Sequence, residues 1–458
     1  RAGRWLVRGV STSELVYLEF SENNGAGWNV IATNLPAWQR SFTWVAPTST
    51  PLALWRMTST TNAALTDTVD TNFTIRLAGI RYYVNDSNLV GDVYTTQAGD
   101  YLNNGLTPSS AVDSVRTVFD RYNLEPEDIV FVDTGIYPVT NTIVLGKQDS
   151  GDTNYTVHIT GVTNRYLNGG TRFVNVMTNA FNPEEPISLF RIENGEGVLL
   201  SDLIFTGGDV GLELERQRNS VIRDVLVEDG GTAGILATFS SGNRFERAVV
   251  TRHVGAGIIL ADSPSAIDSS VLWSNGGFGL VVNGGSASMS NTIISADGSS
   301  STNVCVNLSD SSLRADFNNY VPFGDARYVA AGGFVFDGLP QWTAFSTQDV
   351  HSLSVDPRFF APESNDFHVL SAHGRFDPVA GVFVTNDLEF SWMLDTGSTN
   401  TPVILEPTPN GNRRNIGIHG NTREASKSRT NEWILAITGM AGGRLENTFY
   451  LVWTYGNI

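Results

Sequence analysis

The chain has 458 residues, with 47 acids against 29 bases, a net charge of -18 and only 17% charged residues. Lysine occurs just twice, at Lys147 and Lys427. No basic stripe exists to meet a phosphate backbone or an anionic bilayer, so neither nucleic acid nor membrane insertion is expected. One cysteine, Cys305, excludes an internal disulfide framework. No apolar run reaches the roughly 18–20 residues that a spanning helix needs. Hydrophobic residues at 41% can still build a large core, and 45 glycines with abundant Ser, Thr and Asn suit strands and tight turns. Starting at Arg1, the sequence reads as a processed chain or a segment of a longer one.

Residues 1–75 alternate short extended runs with turns about every ten residues, the pattern of a small β-sandwich. The stretch Asn-Asn-Gly-Ala-Gly at 23–27 sits between two such runs and signals a hairpin. With the motifs at 24–28, 42–47 and 67–75, this portion resembles the immunoglobulin-like modules of large secreted bacterial proteins. Next, Val112, Val115, Val118 and Phe119 recur at helical spacing, which predicts an amphipathic helix over about 110–122. Two strands follow it. Gly99, residues 104–108 and residues 128–137 resemble the capping helix and first rung of right-handed parallel β-helices.

Between 200 and 320 three short elements recur. Centred on Ile204, Leu226, Val249, Leu272 and Ile293, the first steps by 22, 23, 23 and 21 residues. The second begins at Gly211, Gly234, Gly257 and Gly279, with 304–306 in the following turn. The third runs through Val221-Ile222, Phe245, Ile267, Met289 and Leu313. Three strands per period of about 22 residues describe a parallel β-helix, whose turns bury their apolar faces only by stacking. Asn219 and Asn243 fall before the third strand, where they either stack as an amide ladder or point their side chains to water. Cys305 reads as a small buried core residue.

After 321 the beat is lost. Residues 351–360, 366–371 and 406–428 resemble the ending of secreted β-helix proteins, although Ile418-His419 stands where that pattern has Ala-Tyr. A closing cap there would block end-to-end strand pairing. Residues 429–458 resemble the first two strands of another immunoglobulin-like module, joined across 439–443. Residues 4–10 resemble a second strand of the same module type. Trp5, Leu6 and Val7 at one end and Tyr450, Leu451, Val452 and Trp453 at the other are therefore the expected assembly residues.

Chemistry is sparse. Asp202 and Asp224 occupy equivalent places on adjacent turns, with Arg223 beside Asp224 and Arg247 one turn on. A calcium-dependent lyase needs such carboxylates and such an arginine. Ion pairing across rungs accounts for the same pattern and is the preferred reading. His253 could in principle act as a base, but a lone histidine in a charged turn, beside Arg252 and one turn from Glu228-Asp229, is more often just solvated. The six histidines show no zinc-like spacing, and calcium at the aspartates is the one cofactor the pattern admits. Trp273, Trp342 and Trp392 are the aromatic candidates for a neutral glycan, and sequons occur at Asn72, Asn85, Asn154 and Asn307.

The sequence thus predicts an all-β chain: a right-handed parallel β-helix over 76–428, an N-terminal immunoglobulin-like β-sandwich over 1–75, and a strand pair over 429–458. The expected role is an extracellular or cell-surface structural protein that self-associates or joins neighbouring modules through terminal strands, without catalysis. The alternative is a polysaccharide lyase, a hydrolase or a glycan-binding protein using the β-helix face.

Overall fold

The computed structural model describes residues 11, 13–39, 41–75, 78–162, 169–177, 187–401 and 403–429, and the backbone of strands Ala2–Arg4, Trp433–Ala436 and Val452–Tyr455. The chain divides into two compact units, 1–79 and 80–458. In the first, strands Asn29–Pro36, Leu15–Ser21, Thr50–Ser59 and Thr66–Thr68 pair antiparallel in that order, and Phe73–Ile75 also pairs with Thr50–Ser59. The turn after Leu15–Ser21 uses Asn24 and Gly25, both at positive φ, as its Asn-Gly sequence requires. Ala2–Arg4 pairs separately with Ser41–Thr43. The described strands are thus a small antiparallel sheet and a strand pair; the likeness to immunoglobulin modules rests on the sequence motifs alone.

The second unit is built around a parallel solenoid. Its first strand series runs Leu203–Thr206, Leu226–Glu228, Val249–Thr251, Val271–Trp273, Ile293–Ala296 and Asn319–Pro322, extended upstream by Gly135–Val139 and Thr171–Asn175 into an eight-stranded sheet. Val271, rather than Leu272, faces Val249 and Ile293 across the ladder. The predicted 23- and 21-residue steps therefore become 22 and 22, since a one-residue shift would turn each side chain to the wrong face. The third series pairs Ile222, Phe245, Ile267 and Met289 as expected, but continues to Ala315. Leu313 instead lies opposite Ala287. The second and third series merge into one sheet because strands Phe278–Ser290 and Val304–Asp316 each run through both.

Two repeated devices set the cross-section. Asp202, Asp224, Arg247, Ser269, Asn291 and Phe317 occupy the same corner on successive rungs, all with φ between 50° and 59°. The parallel ladder holds this left-handed corner, since Asp224 N donates to Glu246 O and Arg247 N to Asp268 O, both at 3.1 Å. Glycines 211, 234, 257 and 279 form the second device. A Cβ on Gly234 would stand 2.2 Å from Val250 Cγ1 and 2.9 Å from Gly257 O. Gly234→Ala is therefore expected to destabilise the protein by about 2 kcal/mol, read as a lower urea midpoint. In the next rung the buried thiol of Cys305 takes the equivalent slot.

Inside, Phe173 and Phe205 stack 5.6 Å apart and Phe190 meets both edge-on. Each fully buried ring contributes about 1.5–3 kcal/mol by leaving water. Helix Val115–Arg121 starts later than predicted because Ser114 caps it, its Oγ accepting from Thr117 N. The Asn219–Asn243 stack does not form, because Gly242 follows Asn219 on the next rung and Asn243 follows Ser220. Ser220 N donates instead to Asn243 Oδ1 at 2.9 Å, which satisfies the buried corner.

The C-terminal portion is a flank, not an end plug. Ile204, Leu226, Val249, Val271 and Ile293 point out of the solenoid and form a separate core with Phe367, Val369, Met393, Ile416 and Ile418. At the end of the solenoid, Arg327–Ala331 pairs antiparallel with Phe334–Phe336, and helix Leu339–Ser346 buries Trp342 in the main core.

Candidate functional site

The left-handed corner brings together the predicted acid–arginine set. Arg247 Nε and Nη2 donate to Asp224 Oδ1 and Oδ2 at 2.7 and 2.6 Å, and Arg223 Nε lies 3.7 Å from Oδ2. Asp202 stands one rung away. Both oxygens of Asp224 are thus engaged by a guanidinium fork, which leaves that carboxylate poorly placed for calcium and that arginine poorly placed for a proton. The pair is about a third exposed, so its contribution to stability is at most about 1 kcal/mol. Around the next corner, the buried carboxylate of Glu228 accepts from Arg172, Thr206, Arg252 and Asn365. That network ties the C-terminal loop at Asn365 to the solenoid wall.

His253 is inside. It is 2% exposed, its Nε2 lies 3.2 Å from Val227 O, and its backbone N donates to Asn275 Oδ1. Burial lowers its pKa to about 4, so the ring is neutral at ordinary pH. Room for it comes from Gly230, where a Cβ would stand 2.5 Å from His253 Nδ1. A charged turn in the sequence therefore conceals a core histidine.

A concave surface lies elsewhere, on the outer face of the third strand series. Register aligns Arg244, Ala266, Ser288 and Arg314 on four successive rungs, all turned outward. Two small side chains between two arginines leave an open groove of about 660 Å³. Ser265, Ser286, Ser312 and Gln348 are among its other lining residues. At strand spacings of about 4.8 Å, the two arginines stand roughly 14 Å apart along the solenoid. An acidic row borders the groove two residues along, at Glu246, Asp268 and Asp316, with Ser290 at that place on the third rung. Arg244 Nη2 meets Glu246 Oε1 at 2.5 Å, and Asp316 meets His351 Nδ1 at 2.8 Å. Arg314 makes no ion pair among the described residues.

Residues 187–320 match the family described as right-handed beta helix region. This supplies the hand of the solenoid. Solved structures similar to the chain include the pectate lyase Pel9A, at 12% identity and a TM-score of 0.42 over 74% of this chain and 96% of that one. They also include tailspike protein 2 from Escherichia coli O157:H7 bacteriophage CAB120, at 14% identity and a TM-score of 0.27 over 55% and 39% of the two chains. A third is an alginate lyase from Paenibacillus sp. str. FPU-7, at 10% identity and a TM-score of 0.26 over 49% and 95%. These likenesses concern the β-helix fold. No curated protein matches the sequence.

Against this β-helix, the remaining predicted residues take varied places. Trp342 is 3% exposed and donates to Asp349, so it belongs to the core. Trp273 packs edge-on against Phe323 and Phe359, and Trp392 packs on the outer core. None of the three lines the groove. Trp5, Leu6, Val7, Tyr450 and Leu451 lie outside the described residues. The strand containing Val452 and Trp453 pairs antiparallel with Trp433–Ala436. Of the sequons, Asn85 is fully buried and its Nδ2 donates to Asp92, so a glycan on Asn85 is incompatible with the fold. The groove is silent in the sequence because Ala266 and Ser288 carry no chemistry of their own. Their signal was their size at an outward position between arginines.

Proposed function

We propose that this protein is a secreted or cell-surface glycan-binding protein, which lays a neutral polysaccharide along the groove between Arg244 and Arg314 without cleaving it. The observation that carries this reading is the aligned row Arg244, Ala266, Ser288 and Arg314, a trough with charged ends on a rigid sheet. Guanidinium forks donate, serine hydroxyls both donate and accept, and the bordering carboxylates accept, which suits a chain of sugar hydroxyls. The acidic row disfavours a polyanionic chain. Cleavage is disfavoured because Glu246 and Asp316 are engaged with Arg244 and His351.

Affinity electrophoresis against neutral and acidic polysaccharides tests this. A neutral glycan should retard the protein, and Ser288→Arg, which fills the trough from an outward position, should weaken that retention at least ~10-fold (about 1.4 kcal/mol) with unchanged melting. If no polysaccharide retards the wild type, if the filled variant binds equally well, or if sugar ends are released, the reading fails.

Assembly through terminal strands is a second reading, favoured by one observation. Trp433–Ala436 and Val452–Tyr455 pair only with each other among the described strands, and an isolated two-stranded pair is marginal in water. Deleting residues 430–458 should then abolish any oligomer that sedimentation detects.

A further inference from the structure

The flank that covers the outer core contains a cluster that no spacing in the sequence announces. His368 lies on strand Asp366–Val369, and its ring stacks on His419, 51 residues away, with centroids 3.6 Å apart and planes 12° apart. The turn carrying His419 is held by Thr422, whose N and Oγ1 both donate to His419 O, and Thr422 Oγ1 in turn accepts from Glu424 N. That turn returns Glu424 to the rings. Its Oε2 lies 3.6 Å from His419 Nδ1 and 3.8 Å from His368 Nε2. One ligand atom from each of the three residues falls within 4.8 Å of the others.

We propose that His368, His419 and Glu424 bind a divalent transition metal, zinc foremost, which staples the C-terminal flank to itself. Two imidazoles and a carboxylate are a nitrogen-rich donor set that suits zinc, cobalt, nickel or copper and does not suit calcium or magnesium. Ligand atoms around a tetrahedral zinc lie on the order of 3.3 Å apart, given bonds of about 2.0–2.1 Å. The two separations from Glu424 need close by only a few tenths of an ångström, and the two histidine donors lie within 4.8 Å of each other. His368 Nδ1 meets Asp366 Oδ1 at 2.7 Å, and with the proton on Nδ1 the acceptor of that ring is Nε2, on the Glu424 side. A carboxylate behind a ligating histidine in this way fixes its tautomer and raises its basicity. Asp366 and Glu424 together offset the charge of a dication. His368 is fully buried and the His419 side chain nearly so, while Glu424 is 44% exposed, so metal and the remaining water ligand enter past Glu424. Both lone pairs converge on one ion only if the stacked rings tilt apart. His419 sits on a turn and Asp366 anchors His368, so His419 is the ring that swings.

The full chain, stripped with EDTA, would be titrated with zinc chloride by calorimetry, and with cobalt(II) by visible absorption. One equivalent of zinc should bind, cobalt should give the intense bands of a tetrahedral site, and zinc should raise the melting temperature. His419→Phe keeps an aromatic ring on His368, and Glu424→Gln changes a half-exposed group. Each should weaken zinc at least ~10-fold while melting like the wild type in EDTA, and Asp366→Asn should weaken it about tenfold. The proposal is overturned if zinc does not bind stoichiometrically, if both ligand variants bind it as tightly as the wild type, or if calcium raises the melting temperature equally. Glycan retention is measured separately, so this test stands or falls independently of the groove.

Discussion

Asp349→Ala is expected to cost about 3–5 kcal/mol of stability, the largest loss from any single substitution considered. The carboxylate is 2% exposed. Its Oδ2 accepts from Tyr320 OH and Trp342 Nε1, both at 2.9 Å, and its Oδ1 accepts from Ser352 Oγ at 2.5 Å and Asn318 Nδ2 at 3.2 Å. Burial and the Asp349 charge push the Tyr320 hydroxyl well above its ordinary pKa, so it remains a donor. Alanine would strand four buried donors where the helix Leu339–Ser346 closes the solenoid. Asp349→Asn keeps the shape and one acceptor oxygen, and should cost clearly less. Denaturation curves of the two variants check both statements. Equal losses would mean that the charge itself, and not the number of acceptors, holds the end in place.

The second large effect depends on pH. Glu406 is buried in the C-terminal flank, where its Oε1 accepts from Asn415 N and Asn421 N, while Oε2 has no hydrogen-bond partner among the described residues. Burial raises its pKa from 4.5 to about 7, against the opposing pull of the two backbone donors. Below pH 4.5 the group is protonated in both states and its contribution to stability is fully present. As pH rises towards 7 the unfolded chain gives up the proton first, and that contribution is lost. A rise from 4.5 to about 7 is worth roughly 3 kcal/mol. Glu406→Gln should therefore gain stability relative to the wild type across that window and hold a constant lead above it. Urea unfolding at a series of pH values measures the difference, and a pH-independent difference would place the ionised form in the native state.

Much of the solenoid was legible because its signal is local and repeated. Apolar triplets every 22 or 23 residues have few other physical explanations, and the misplaced centre at Leu272 arose because Val271, Leu272 and Trp273 are all apolar. The outer core was hidden for a related reason. Residues such as Val249 and Val250 are apolar on both faces of the strand, so alternation could not show that one of them points outward into a second core. Side-chain chemistry was less legible. Asp224 and Arg247 were correctly placed on neighbouring rungs, and their pairing follows from that placement. His253 looked solvated from its neighbours Arg252 and Glu228, yet Gly230 and Gly234 clear an interior space for it. His368 and His419 lie too far apart in the chain for any motif to join them; only the return of the flank along the solenoid does so.

That flank also sets an order in time. The outward row from Ile204 to Ile293 is complete well before its cover at Phe367 to Ile418 has been made. At usual synthesis rates the gap is on the order of ten seconds. For that interval an apolar stripe on an otherwise finished sheet faces solvent, the condition under which nascent chains of this kind adhere to one another. A slower return of the last quarter is therefore expected to lower the protein's yield on synthesis.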